Sequence, residues 1–293
     1  MNENVEYSKV ECNICGEDDY KIIYPSNVGG STPSVEDYTS TVNKYSVFNN
    51  IVGCKKCGLV YMNPRDVGVN ELYKEVVDNA YLETWQERAE TFKEHLKVID
   101  EYKPTGSLLD IGCYAGIFLD EAKKRGYQVT GIEPSRWASD YARDKTGATI
   151  INASCNEKIF FDEAEFDLVT LWDVIEHLDD PSQCLSNVYN YLKDDGIVVI
   201  TTHDIGSLIA KLMGKRYPWL MRFHLYHFTP ETLSALLLKH KLEVVCTKYY
   251  SKKFSLAYLL SRAGIKTESR LLKRTVVPIN TRDMFMVVAK KIV

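Results

Sequence analysis

Residues 107–135 read SLLDIGCYAGIFLDEAKKRGYQVTGIEPS. SLLDIG has the length and apolar content of a buried strand. GIFLDEAKKRG follows as a helix that stops at Gly126, YQVTGIEP is a second strand, and Ser135 can cap the helix SRWASDYARDKTG. This strand–helix–strand frame predicts a parallel sheet with its ligand beyond the carboxyl ends of the strands. Gly112 and Gly116 let backbone approach a ligand just past the first strand. The spacing is neither G-x-G-x-x-G nor G-x-x-x-x-G-K, so a phosphate cradle is not expected. Glu133 ends the second strand. A carboxylate about 20 residues past a glycine loop suits ribose hydroxyls, so the loop is shaped for a nucleoside with a non-phosphate tail.

The alternation continues outward. ATIINA, FDLVTLW and GIVVITT read as further strands, and Leu185, Val188, Tyr189 and Leu192 mark a helix starting at Pro181-Ser182. TPETLSALLLKHK reads as a helix capped by Thr229, and KLEVVCTKYY and MFMVVAKKI close the pattern. Upstream, Phe92, Leu96, Ile99 and Tyr102 recur at helical spacing until Lys103-Pro104-Thr105-Gly106. The fold class is α/β: a mostly parallel sheet of seven strands covered on both faces.

LLDIGCYAGIFL, GIEPS and FDLVTLWDVIEHLDDP resemble the first, ribose and fourth-strand motifs of the class I S-adenosylmethionine-dependent methyltransferases, over residues 107–293. The resemblance implies a Rossmann-like fold. It implies that Asp110, Gly112, Tyr114, Gly116, Glu133, Ser154 and Trp172 border the cofactor, Glu133 on the ribose. Trp172 and Asp173 would flank the sulfonium. The adenine-side acid common after the third strand is absent; Asn152, Ala153 and Ser154 stand there.

The chain has eight cysteines. CNICG at 12–16 and CKKCG at 54–58 form two Cys-x-x-Cys knuckles, with a glycine after each second cysteine. Cys12, Cys15, Cys54 and Cys57 match the closed tetrahedral shell of a structural zinc, preferred over a redox role. The polar stretch SNVGGSTPSVEDYTST between them reads as loop. Together with MNPR at 62–65 this module resembles a zinc-binding unit fused to methyltransferases, several of which act on nucleotide-linked sugars or cell-surface glycans. The expected division is a zinc-ribbon lobe at 1–68, connecting helices at 69–104 and the methyltransferase domain at 105–293.

In LWDVIEHLDDP, residues 171–181, an apolar run ends in Asp173, Glu176 and His177. The bland reading is a solvated helix start. Methyl transfer to a hydroxyl, however, needs a base near working pH, and His177 stands one turn past the fourth strand. Asp173, Glu176 and His224 would support it. His203, Tyr226 and His227 lie in the same region, where a plain hydrogen-bonded role is the commoner one for a histidine. On a helix Asp173, Glu176 and His177 share a face. With His224 they could hold Mg²⁺ or Mn²⁺, as in the similar Glu-x-x-Glu-His motif of small-RNA 2′-O-methyltransferases and ubiquinone-pathway O-methyltransferases.

A net charge of −4 argues against a broad nucleic-acid surface. No apolar run approaches a membrane span, and Met1–Asn4 do not read as a leader, so a cytoplasmic location is expected. SLIAKLMGKRYPWLMRF at 207–223 mixes apolar and basic residues. It can form a lid over an acidic acceptor with Lys215, Arg216 or Arg222, a peripheral membrane contact, or a helix with solvated charges. The leading expectation is O-methylation of a sugar, nucleotide sugar or related small molecule. C-methylation of a nucleotide-linked sugar, 2′-O-methylation of RNA ends and an inactive cofactor-binding partner subunit are the alternatives.

Overall fold

A computed structural model of the chain describes residues 6–39, 45–157, 161, 164–257, 260, 267, 269, 271–272 and 275–293. Met1–Asn4, and residues 40–41 of the polar spacer, lie outside them. The chain opens with β1 (Tyr7–Ser8), β2 (Tyr20–Tyr24), β3 (Ile51–Cys54), β4 (Val60–Met62) and β5 (Arg65–Asp66). The two knuckles precede β2 and follow β3. In each, the glycine amide donates to the carbonyl of the first cysteine, Gly16 to Cys12 at 2.8 Å and Gly58 to Cys54 at 3.1 Å. Both glycines have positive φ, the conformation the turn demands. Three helices follow: α1 (Val69–Lys74), α2 (Asn79–Glu83) and α3 (Trp85–Asp100).

The alternating region then gives β6 (Ser107–Ile111), α4 (Ile117–Lys124), β7 (Gln128–Ile132), α5 (Arg136–Thr146), β8 (Thr149–Ile151), β9 (Phe166–Trp172), α6 (Pro181–Tyr191), β10 (Leu192–His203), α7 (Leu208–Met213), β11 (Tyr226–His227), α8 (Pro230–Lys239) and β12 (Leu242–Tyr249). A hairpin of β13 (Lys252–Ser255) and β14 (Val276–Ile279) precedes the last strand, β15 (Met284–Lys291). Seven strands form one sheet in the order β12-β15-β10-β9-β6-β7-β8. β15 runs antiparallel to both neighbours, whereas β8, β7, β6, β9 and β10 pair in parallel. The sequence-predicted caps are in place: Ser135 accepts from the Ala138 amide, and Thr229 and Thr232 form a reciprocal capping box.

Successive residues of each strand feed opposite faces, the period-2 rule of a pleated sheet. Leu109, Val169, Val198 and Val287 pack with α6, α8 and the lobe residues Phe48, Ile51, Leu59 and Tyr61. Leu108, Leu168, Val199 and Val288 pack with α3 and α4 through Leu96, Ile99 and Phe118. Among the described residues, most of the lobe's buried apolar side chains thus belong to the main core. The lobe shares one face of the main sheet.

The seam is also hydrogen-bonded. β11 pairs antiparallel with β4, so it completes a four-stranded sheet in the order β11-β4-β3-β2. Arg65 lies over the Tyr226 ring and donates to the Asp179 carbonyl at 2.9 Å. Buried Arg222 forms a two-pronged pair with buried Asp66 at 2.6 and 3.0 Å and donates to Ser31 O at 2.7 Å. Arg222 is therefore committed to the seam and is not free for an acceptor.

Candidate active site

Strand order reverses beside β6, and the carboxyl ends of β6, β7, β9 and β10 meet there. The β6 loop takes positive φ at Gly112, Tyr114 and Gly116. A Cβ on Gly112 would stand 2.6 Å from Val174, and one on Gly116 2.9 Å from Thr146. These glycines are needed for close packing as well as for φ. The loop is locked to β7: the Gly112 and Cys113 amides donate to the Ile132 carbonyl at 2.8 and 3.1 Å. Asp110, buried, accepts from the Thr170 hydroxyl at 2.7 Å, and burial holds its carboxyl well above the ordinary range.

Glu133 accepts from the Tyr114 amide at 2.9 Å and from the Ser135 amide at 2.7 Å. Burial raises its pKa to about 7 against the pull of those two amides. Each oxygen keeps lone-pair capacity beyond these bonds, as a ribose diol requires. The carboxylate is 0 % exposed. The α1–α2 segment covers this region: Ser135 Oγ donates to Val76 O at 3.1 Å, and the Tyr81 ring meets Tyr114 at 4.4 Å. The segment thus helps to screen Glu133 from solvent. Asn152 donates to the Glu133 and Pro134 carbonyls at 2.8 and 3.0 Å, and so braces this turn. The Ser154 amide is tied to Glu157 Oε1 at 3.0 Å. Trp172 turns toward α3, stacked on His95 at 5.0 Å and packed on Phe92 and Phe118.

Asp173 does not share a face with Glu176 and His177. Its φ is +52°, and only a three-residue 3-10 turn, Ile175–His177, follows it. The reversal sends the Asp173 carboxylate to Lys252 Nζ at 2.8 Å and to the hydroxyls of Thr201 and Tyr250 at 2.9 and 3.3 Å. Burial would raise its pKa, but Lys252 and Thr201 pull it to about 2. Asp173 therefore leaves the set of acids and imidazoles to which its sequence position assigned it.

Glu176, His177 and His224 do converge: one ligand atom from each lies within 4.8 Å of the others. His177 Nδ1 lies 2.9 Å from the Phe223 carbonyl and His224 Nδ1 2.8 Å from the Trp219 carbonyl. A carbonyl only accepts, so both Nδ1 atoms carry a proton, and in the neutral tautomer this fixes, Nε2 is the nitrogen with the lone pair. Burial, then the neighbouring imidazoles, push the His224 pKa well down, which keeps it neutral. Glu176 Oε2 is buried without a partner, and its Oε1 lies 3.7 Å from His203 Nδ1. His203 and His227, named in the sequence for plain hydrogen-bonded roles, form a buried pair at 2.9 Å behind this cluster. Four of the chain's six histidines thus occupy one place. The sequence already set His224 beside His177; that His203 and His227 pair behind them follows from the meeting of β10 and the β11 segment in the fold.

Beside the Asp173–Lys252 pair opens a cavity of about 220 Å³ whose walls include Tyr217, Trp219, Tyr250, Phe254 and Ile279. Its carboxylate, Asp283, accepts from Tyr217 at 3.1 Å and Trp219 at 3.2 Å. Trp219 links cavity and cluster, since its ring stacks 6.1 Å from His224. The sequence carried no sign of this cavity, whose walls come from three separate segments.

In the lobe, Cys12 and Cys57 Sγ lie 3.3 Å apart and Cys15 and Cys54 Sγ 3.5 Å apart. All four sulfurs fall within 4.8 Å of one another. That separation fits four thiolates around one ion with Zn–S bonds near ~2.3 Å.

Among known proteins, a family model described as a methyltransferase domain matches residues 82–247. Ubiquinone biosynthesis O-methyltransferase of Bradyrhizobium sp. (strain ORS 278) is 32 % identical over 149 residues, covering 47 % of this chain and 58 % of the relative. The Glaesserella parasuis (serovar 5, strain SH0165) enzyme of the same name is 31 % identical over 105 residues, covering 32 % and 44 %. The chain thus spans about half the length of the curated relatives it matches. A SAM-dependent methyltransferase structure from Archaeoglobus fulgidus superposes with a TM-score of 0.53 at 22 % identity, over 73 % of this chain and 100 % of that one, a likeness of fold.

Proposed function

Because this chain belongs to the methyltransferase-domain family and is an S-adenosylmethionine-dependent methyltransferase, we propose that it methylates a hydroxyl on an apolar, ring-bearing small molecule, with His177 as the base. When bound, S-adenosylmethionine supplies the methyl on a sulfonium whose leaving thioether is neutral. The Gly112–Gly116 loop and Glu133 hold the nucleoside. Asp173, kept ionised by Lys252, lines the approach of the positive sulfonium. The aromatic walls of the cavity align the acceptor ring. His177, its Nδ1 held by the Phe223 carbonyl, takes the hydroxyl proton at Nε2 as the O–C bond forms, and Glu176 and His224 steady the charge it gains.

The observation that carries this reading is the pairing of a mostly apolar, aromatic cavity with an imidazole cluster whose Nε2 atoms are free. The sugar acceptor expected from sequence finds no support: a sugar needs many converging polar groups, and Asp283 here is already engaged. The matched relatives are named for ubiquinone biosynthesis. Incubation with labelled S-adenosylmethionine and a panel of phenols, catechols and nucleotide sugars tests it. Transfer to a phenolic hydroxyl, reduced at least ~100-fold by His177→Ala with donor affinity kept, is expected. Transfer to nucleotide sugars alone refutes it.

The converging trio supports a second reading, in which Glu176, His177 and His224 hold a metal ion that polarises the acceptor hydroxyl. Two imidazoles and one carboxylate suit Zn²⁺ or Fe²⁺, with Mn²⁺ next and Mg²⁺ last. We also assign Cys12, Cys15, Cys54 and Cys57 a structural zinc. Metal analysis separates the two: Cys54→Ser removes the lobe's equivalent, and Glu176→Ala removes a second one only if the trio binds an ion. Full activity after chelation selects the base.

A further inference from the structure

From Ile205 to Pro230 the chain carries no Asp or Glu, although the molecule as a whole has a net charge of −4. Within this run, α7 places two stripes side by side. Ile209 and Met213, one turn apart, border the aromatic cavity. Leu208 and Leu212, also one turn apart, face solvent at 73 % and 78 % exposure. Lys211, Lys215 and Arg216 are exposed around them and form no ion pair among the described residues. Two leucines so exposed on a short helix cost solvation unless something apolar receives them. A second copy of this face is a poor recipient, because it would bring six like charges together. A bilayer with anionic headgroups meets both requirements: acyl chains take the leucines, and phosphates take the cations.

We propose that α7 and the Gly214–Arg216 turn dock on an anionic phospholipid surface, so that the apolar cavity opens toward the bilayer and draws its acceptor from it. The second clause rests on the acceptor reading above; the docking itself does not. Leu208 and Leu212 enter the acyl boundary, Lys211, Lys215 and Arg216 lie at the phosphates, and Ile209 and Met213 continue the apolar path to Trp219 and Phe254.

Flotation of the full chain with vesicles of phosphatidylcholine, with and without phosphatidylglycerol, tests the docking with neither donor nor acceptor present. Association with the anionic vesicles, falling as salt is raised, is expected. Replacing Lys211, Lys215 and Arg216 by Gln should weaken it by about fivefold per charge, and Leu208→Ser with Leu212→Ser by at least ~tenfold. All five side chains are exposed, and unchanged melting and donor affinity confirm that the variants fold. Absence of flotation, or flotation indifferent to both variants, overturns the proposal. So does self-association in sedimentation velocity that the double Ser variant abolishes without any flotation, which would give the face to a protein partner. A chain that floats but fails the phenol panel keeps the docking and loses the acceptor reading.

Discussion

Glu133 shows how one side chain carries both architecture and chemistry. It ties the Tyr114 amide of the glycine loop to the Ser135 amide that opens α5, and its burial lifts its pKa to about 7. Because the folded pKa is raised, protonation favours the unliganded fold: that contribution is complete below the unfolded value near ~4.3 and is lost as pH rises through about 7. In the proposed donor site, binding runs the other way, since the ionised form would accept the ribose hydroxyls. Calorimetric affinity for S-adenosylhomocysteine should therefore rise between about pH 6 and 8, and Glu133→Gln should bind weakly with a flat profile. Gly112→Ala meets a positive φ and a contact of 2.6 Å to Val174. It should cost about 2–4 kcal/mol in denaturant unfolding, and Val174→Ala should relieve the steric part alone. The loop glycine and the strand-end acid at these two positions were legible from the motif. The covering of Glu133 by Val76 and Tyr81 was not, because it depends on how α1–α2 folds over the loop.

β11 and the turn after β9 explain why the cluster exists. The reading of a helix through 173–177 fails at Asp173, where a left-handed turn sends the expected acid to Lys252 and leaves Glu176, His177 and His224 as the converging set. Spacing on one helix face could not reveal this. β11 is two residues long and would not hold alone; pairing with β4 fixes it, and the Leu225 amide donates to the Glu176 carbonyl at 2.8 Å. The cysteine-bearing lobe therefore braces the segment that carries His224. Cys54→Ser with Cys57→Ser should lose the proposed zinc and the methyl transfer while retaining most donor affinity, as read by metal content, turnover and calorimetry. A lobe that merely decorates the chain would leave turnover intact.

Lobe and main sheet share one core, since Phe48, Ile51, Leu59 and Tyr61 belong to the same cluster as Leu109 and Val198. The buried Arg222–Asp66 pair crosses that junction, with side chains 5 % and 1 % exposed. Arg222→Met leaves a carboxylate buried without its partner and should cost about 3–5 kcal/mol, whereas adding Asp66→Asn should recover much of the loss. A single unfolding transition for both lobe and sheet fluorescence is the accompanying expectation. Among the described residues no helix is long and apolar enough to cross a membrane.

The alternation of apolar strands and capped helices, the glycine loop with its strand-end acid, and the paired cysteine knuckles could all be read along the chain. Each rests on short-range rules: period-2 burial, capping chemistry, and ligand spacing within a turn. The four-histidine cluster, the Asp173–Lys252 pair, the aromatic cavity and the lobe's shared sheet depend on contacts between segments far apart in sequence. Such contacts leave no local pattern, because a side chain's partner across the fold is set by packing and register rather than by its neighbours in the chain.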